Sequence, residues 1–341
     1  KAETLARIGP HLDKFVVPRS YHFTLRQWRD DPGKVLNDLS RHFPDETVIV
    51  RSSAHGEDGA DNSMAGQFES IANVSMATPS DVEAAITKVI ASYAHDGAAE
   101  KPEDQVLVQA MLNDVLMSGV LFTQDLNTGA PYYVINYDDE TGRTDTVTSG
   151  GAYSNRTLVV HRGSLNAVQS DRFQALLAAT VELEAAIPTQ GLDIEFAVDQ
   201  ALVVHLLQVR RMTALPAANP DLAEQVDEAA GRIRAFVRDR FAPMSGVHGR
   251  RSIFGQMPDW NPAEMIGRAP RPLALSLYRH LITDRAWRQA RSQMGYAEPR
   301  GMPLLVSLGG QPYIDVRLSF HSLLPAGLDK SIAEKLSNAW L

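Results

Sequence analysis

Ile194 to Val198 and Leu202 to Gln208 read as two strands that fold back on each other at the Asp199-Gln200 turn. Side chains on a strand alternate between faces. Asp193 and Glu195 therefore project together, about 7 Å apart, while Ile194 and Phe196 project the other way. Gln208 and Arg210 also share a face, and antiparallel pairing sets them beside the two carboxylates. The fold must bury one face of this hairpin and keep an acid, amide and guanidinium face apart from the apolar core.

Other short runs have strand character: Phe15 to Val17, Thr47 to Val50, Phe68 to Val74, Val106 to Met111, Ser118 to Thr123, Tyr132 to Asn136 and Leu158 to Val160. Asn127-Thr-Gly129 closes one run just before Tyr132 opens the next, a hairpin signature. Helical spacing marks Leu5 to Leu12, residues 34–43, Asp81 to Tyr93 with Ser80 as N-cap, Arg172 to Ala186 and Asp221 to Phe241. Leu215-Pro-Ala-Ala-Asn-Pro220 breaks the pattern and marks a boundary. The remainder is rich in Pro and Arg, with weaker periodicity. Strands mixed with helices in this way imply an α+β chain.

The 341 residues carry a net charge of −8, which disfavours nucleic-acid binding as the main role. Without cysteine there is no disulfide scaffold, thiolate metal site or cysteine nucleophile. No apolar run is long enough to span a membrane. A cytoplasmic setting is the expectation. The start, Lys1-Ala-Glu-Thr-Leu5, has neither an initiator Met nor a signal-peptide core, and Asn338 to Leu341 falls inside a helix-like pattern. A piece of a longer chain, cut at both ends, is expected.

Four segments combine into candidate chemistry. The Thr47 to Val50 strand ends in Arg51 and runs into a polar, Gly-bearing loop through Gly66 and Gln67. A guanidinium offers a planar fork to phosphoryl oxygens, and loop N–H groups supply further donors. A structural arginine beside an ordinary loop is the alternative. Asp193 and Glu195 suit Mg²⁺, which takes one or two carboxylates plus substrate phosphates. The solvated face of an edge strand would look the same. Gln208 and Arg210 complete a floor for metal and triphosphate, or else a salt bridge across a hairpin. Gln109, an amide in an apolar strand, requires partners, either an adenine edge or the backbone. None of the ten histidines has metal-ligand spacing, and there is no Walker lysine motif, Gly-x-Gly-x-x-Gly or Gly-x-Ser-x-Gly.

In their order and spacing, these segments resemble the N-terminal nucleotide-binding domain of the phosphoenolpyruvate synthase and pyruvate phosphate dikinase family. Lys1-Ala-Glu-Thr-Leu5 with Val16-Val-Pro18 is similar to its opening lysine motif. Val48 to Ala54, continuing through Glu57-Asp58 to Ala65-Gly-Gln67, resembles its arginine and glycine-loop segment. Val106 to Gln109, Gly119 to Thr123 and Asn127 to Gly129 resemble its central hairpin. Asp193 to Glu195 with Leu207 to Arg210 and Met212-Thr213 resembles its closing metal and phosphate segment. The resemblance implies an ATP-grasp-like domain of two subdomains, 1–105 and 106–215, followed over 216–341 by the mostly helical start of a central domain. Lys1 and Arg51 would hold ATP phosphates, and Gly66 and Gln67 would cover the β- and γ-phosphates, with Ser70 where the family often has Thr. Gln109 would lie near adenine. Glu195, supported by Asp193, would ligate Mg²⁺ or touch the ribose. Gln208 would bind metal or phosphate, and Arg210 would clamp the transferring group. Arg51 and Arg210 are thus the catalytic candidates, and Glu195 and Gln208 the metal ligands.

In that family ATP phosphorylates a histidine on a swivelling domain, and AMP and phosphate are released. The Gly- and Ser-flanked phosphohistidine motif is absent here, so the resemblance places that partner domain elsewhere on the full-length chain. Arg211 stands where the family has Pro, and Asn136 to Gly150 departs from its Gly-Leu-Gly-Glu segment. Asp259-Trp-Asn-Pro-Ala-Glu264, Arg271-Pro-Leu273 and Ser276-Leu-Tyr278 resemble divergent members, the antibiotic phosphotransferases and the L-glutamine kinases. The expectation is a Mg²⁺-dependent phosphotransferase acting on a small acceptor, first the amide of L-glutamine. The rivals are a phosphoenolpyruvate synthase, an antibiotic phosphotransferase, a carboxylate-activating ligase that releases ADP, and a nucleotide-binding module without turnover.

Overall fold

The computed structural model describes residues 1–53, 69–93, 101–142, 156–212, 216, 219, 221–256, 261–299 and 301–341. The chain divides into two compact units, Lys1–Leu222 and Ala223–Leu341.

The first unit opens with α1 (Ala2–Ile8), β1 (Phe15–Val16), β2 (Ser20–Thr24), α2 (Leu25–Asp30), α3 (Pro32–His42) and β3 (Thr47–Ser53). It continues through β4 (Ser70–Ser75), α4 (Pro79–Ala91), β5 (Gln105–Ala110), β6 (Val115–Phe122) and β7 (Tyr132–Asp138). Strand β8 (Arg156–His161), helix α5 (Asp171–Ala186), β9 (Leu192–Asp199) and β10 (Val204–Arg211) complete it. A four-stranded antiparallel sheet has the order β2-β5-β3-β4. A six-stranded sheet has the order β1-β10-β9-β6-β7-β8 and is antiparallel except for its β1–β10 edge. The α+β expectation is borne out.

Each sheet has its own apolar core. Val48 and Val50 of β3 and Val106 and Val108 of β5 pack with Leu39 of α3 and Ile86 and Val89 of α4. Leu192, Ile194, Phe196 and Val198 of β9 pack with Leu5 of α1 and Leu176 and Leu183 of α5. Fully burying an aliphatic side chain of this size contributes about 1.5–3 kcal/mol, so these faces fix the orientation of their strands.

Local sequence sets several boundaries. Asp31 caps α3 by accepting from the Lys34 N–H at 2.9 Å, and Pro32 fills the first helical position. Helix α4 starts at Pro79 after Thr78, which makes no side-chain cap bond, rather than after Ser80. Proline's fixed φ and missing N–H suit the first turn and extend the helix beyond the expected start. Strand β2 and helix α2 were not anticipated, although Thr24 and Gln27 form a reciprocal capping box that is legible as Thr-x-x-Gln.

The expected subdomain division at 105/106 does not follow the sheets. Strand β5 lies between β2 and β3 in the four-stranded sheet, and α1 and β1 belong with the six-stranded sheet and its core. The Asn127-Thr-Gly129 hairpin joins β6 to β7, so β5 takes no part in it. Strand partners are chosen across long sequence separations, which local alternation does not encode.

The second unit holds α6 (Leu222–Arg240, shared with the boundary), β11 (Phe254–Gly255), α7 (Pro262–Ile266), α8 (Pro272–Tyr278) and a π-helical turn at Arg279–Thr283. There follow α9 (Ala286–Gln293), β12 (Leu305–Leu308), β13 (Gln311–Asp315), α10 (Val316–His321) and α11 (Lys330–Trp340). It is mostly helical, with a small β11-β13-β12 sheet that was not foreseen. No helix of the described residues is long and apolar enough to cross a membrane.

Candidate functional site

Strand β9 sends Leu192, Ile194, Phe196 and Val198 into the core, which leaves Asp193 and Glu195 on its other face. Strand β10 pairs Gln208 with Glu195 and Arg210 with Asp193. Its register shifts between Leu206 and Gln208. Without that irregularity Leu206, Gln208 and Arg210 would share one face, and Leu206 is in the core. The extra residue at Leu207 turns Gln208 and Arg210 onto the carboxylate face, while Val209 returns to the core. Re-aiming side chains is a characteristic use of a β-bulge.

The four-stranded sheet contributes the opposing groups. Val48 and Val50 face its core, so Arg51 projects the other way, opposite Leu107 of β5 and Ser70 of β4. Arg51 Nη2 donates to Glu195 Oε2 at 2.6 Å, with side chains 12% and 17% exposed. Arg210 Nε donates to Asp193 Oδ2 at 2.7 Å. Burial works to raise the Glu195 pKa, but Arg51, Lys1 and Arg210 together hold it below the ordinary glutamate value. A partly buried carboxylate therefore stays ionised among three cationic side chains.

Lys1 sits at the start of α1, and two contacts tie that start to the four-stranded sheet. The Ala2 N–H donates to Ser53 Oγ at 3.1 Å, and Gln105 Nε2 donates to Glu3 Oε1 at 2.8 Å. Tyr93 Oη accepts from the Ser53 N–H and donates to the Gln105 carbonyl, fixing the end of β3 against β5. Sequence reading missed this support from Ser53, Tyr93 and Gln105. Each residue is ordinary in its local context, and only the β3–β5 pairing joins them.

Gln109 is 2% exposed and shares the β5 face of Leu107, on the Arg51 side of the sheet. Its Nε2 has no hydrogen-bond partner among the described residues. A buried amide donor without a partner costs about 1–3 kcal/mol, which ligand contact would recover. Gln208 is also buried. The structure thus brings together Lys1, Arg51, Asp193, Glu195, Gln208 and Arg210, with Ser70 exposed beside Arg51 and Gln109 on the same sheet face. Gly66 and Gln67 lie outside the described residues.

Among the described residues no group of three or more His, Asp or Glu could hold a metal ion. The donors present are the Glu195 and Asp193 carboxylates and the Gln208 amide oxygen. That sparse, hard-oxygen set fits Mg²⁺, whose other ligands are water and substrate phosphates, and not a metal held wholly by protein.

Residues 29–164 match the pyruvate phosphate dikinase AMP/ATP-binding domain family. The match takes in Arg51, Ser70 and Gln109 and ends before β9. No curated protein matches the chain. Similar solved structures include the VanG D-Ala:D-Ser ligase from Enterococcus faecalis, at 9% identity and TM-score 0.35, covering 66% of this chain and 55% of that one. The D-alanyl-alanine synthetase A from Vibrio cholerae O1 biovar eltor is 14% identical, with TM-score 0.34, covering 61% and 55%. The Chryseobacterium gregarium RiPP-associated ATP-grasp ligase, solved with ADP and a leader and core peptide, is 10% identical, with TM-score 0.35, covering 63% and 52%. The chain therefore spans little more than half the length of these structures. The similarity to the pyruvate phosphate dikinase AMP/ATP-binding domain thus extends over residues 29–164.

Proposed function

We propose that this chain is the ATP-binding part of a dikinase-type phosphotransferase. ATP is cleaved to AMP and phosphate, and a phosphoryl group passes through a phosphohistidine on a further domain to a small acceptor, first the amide of L-glutamine. The observation that carries the reading is the convergence of Arg51 and Arg210 on Glu195 and Asp193, with Lys1 acting on the same carboxylate, in a chain that matches an AMP/ATP-binding family.

Each residue has a part suited to phosphoryl transfer, in which catalysis is mainly positioning and charge neutralisation. Arg51 and Lys1 hold phosphate oxygens. Glu195, ionised on β9, would hold Mg²⁺ together with Gln208, its partner on β10, and Asp193 on the same face of the strand would support it. When bound, the metal neutralises charge on the phosphates. Arg210 stabilises the charge that develops on the transferring group. Gln109 offers its unpartnered N–H to the base.

The test is product analysis. The chain is incubated with Mg·ATP, with and without L-glutamine and a separately supplied histidine-bearing domain of the same protein. AMP formation that requires both additions supports the reading. ADP as the product favours a ligase-type reaction, and acceptor-dependent AMP from the chain alone removes the phosphohistidine route.

A further inference from the structure

The second unit holds a cavity of about 460 Å³ at the start of α11, where the loop before β11 and the loop after α10 meet. That is within the usual size of a small-molecule pocket. Val247, Leu324 and Leu328 are among its apolar walls, and its ionisable lining is His248, His321 and Lys330. Among the described residues no carboxylate lines it.

These groups are held from behind. The His248 and His321 rings stack with centroids 5.3 Å apart and planes 15° from parallel. His248 Nδ1 lies 3.6 Å from Glu334 Oε2, and Glu334 also accepts from the Gly249 N–H at 3.0 Å and from Asn338 Nδ2 at 3.0 Å. Glu334 is thus committed to the loop and its own helix, and its carboxylate faces His248. His321 is 4% exposed, and its Nδ1 has no hydrogen-bond partner among the described residues. Burial and the neighbouring His248 push the His321 pKa down to about 4, so the ring is neutral near pH 7. Lys330 opens α11 next to its N-cap, Asp329, which accepts from the N–H groups of Ser331 and Ile332.

A cavity left by imperfect packing has no reason to collect cationic and imidazole nitrogen without acid. An apolar pocket with a few convergent polar groups is the ordinary form of a ligand site. An ammonium with an imidazole beside it selects negative charge, and the aliphatic walls select a short hydrocarbon body. We propose that this cavity binds a small organic carboxylate, its charge against Lys330 and His248 and its chain against Val247, Leu324 and Leu328. The site does not depend on the ATP reading and stands whether or not that reading holds.

The probe is butyrate, with 1-butanol as its uncharged analogue, titrated into the 341-residue chain while the histidine ring resonances are followed by NMR. Saturable shifts of the His248 and His321 resonances with butyrate, much weaker with 1-butanol, are expected. Lys330 is exposed, so Lys330→Ala is compatible with the fold, and it should weaken butyrate binding by about tenfold. Lys330→Glu should abolish binding, whereas Lys101→Ala should leave it unchanged. Circular dichroism of each variant establishes that the fold is retained. The proposal is overturned if butyrate causes no saturable shift, if 1-butanol binds equally well, or if the folded Lys330 variants bind like the wild type.

Discussion

Arg51 donates to Glu195 across 2.6 Å, joining β3 of the four-stranded sheet, two residues before its end at Ser53, to the middle of β9 in the six-stranded one. A cation suited to phosphate is thereby set against an acid suited to a metal, and Arg210 with Asp193 repeats the arrangement. Free ATP would have to bring phosphate charge against Glu195 and Asp193, and free Mg²⁺ would have to enter beside three cations. Only the two together allow each protein group to exchange its partner for one of opposite charge.

ATP and Mg²⁺ should therefore bind with strong positive coupling. Chelating the metal is expected to weaken ATP binding by about tenfold or more, as read by calorimetry. Glu195→Gln should remove most of that metal dependence. Asp199→Asn should retain it, because Asp199 is engaged by His205 at 3.0 Å and by the Ala201 and Val203 N–H groups at the hairpin end. Equal losses in both variants would contradict the assignment of Glu195.

Arg51→Ala and Arg210→Ala should each cost about 1.5–3 kcal/mol of Mg·ATP affinity, roughly tenfold to a hundredfold. Neither side chain belongs to an apolar core cluster, so circular dichroism spectra should match the wild type. Unchanged affinity in both variants would show that ATP binds elsewhere.

Acid should expose the Glu195 arrangement. Its folded pKa lies below the ordinary 4.5, so around and just below that pH the unfolded chain binds more protons than the folded one. The contribution is complete above 4.5 and is lost as pH falls through the folded value. Urea midpoints of the wild type should fall more steeply than those of Glu195→Gln as pH drops below 4.5. Parallel curves would mean that the carboxylate is not ionised by its neighbours.

His321 makes a separate acid-sensitive contribution. Its pKa is lowered from 6.5 to about 4 by burial and by His248, so the unfolded chain takes up a proton first as pH falls. Stability from this group is complete above 6.5 and declines between 6.5 and about 4. Its ring resonance should titrate near the lower value, and a midpoint near 6.5 would refute the burial argument.

Gly119 should tolerate no side chain. A Cβ there would lie 2.0 Å from the Asn136 carbonyl oxygen and 2.9 Å from the Tyr137 Cα, both backbone atoms of the paired strand. Gly119→Ala is expected to destabilise the first unit by about 3 kcal/mol through forced separation of β6 and β7. Thermal unfolding measures it, and a wild-type midpoint would show that the strands can part at little cost.

The chemistry of the site was legible along the chain because it depends on residue type and local period. The alternation through Asp193 and Glu195, the Asp199-Gln200 turn and the shared face of Gln208 and Arg210 are consequences of strand geometry at short range. Which face Gln208 and Arg210 take was decided by the bulge at Leu207, since Leu206 and Leu207 are equally apolar and either could have entered the core. That Arg51 meets Glu195, 144 residues away, that β5 joins β3 instead of β6, and that Tyr93 holds Ser53 against Gln105 were likewise decided by tertiary structure. Pairing energy between strands is nearly independent of sequence separation. Local pattern therefore specifies what each strand can present, and only the packing of both cores specifies what each strand meets.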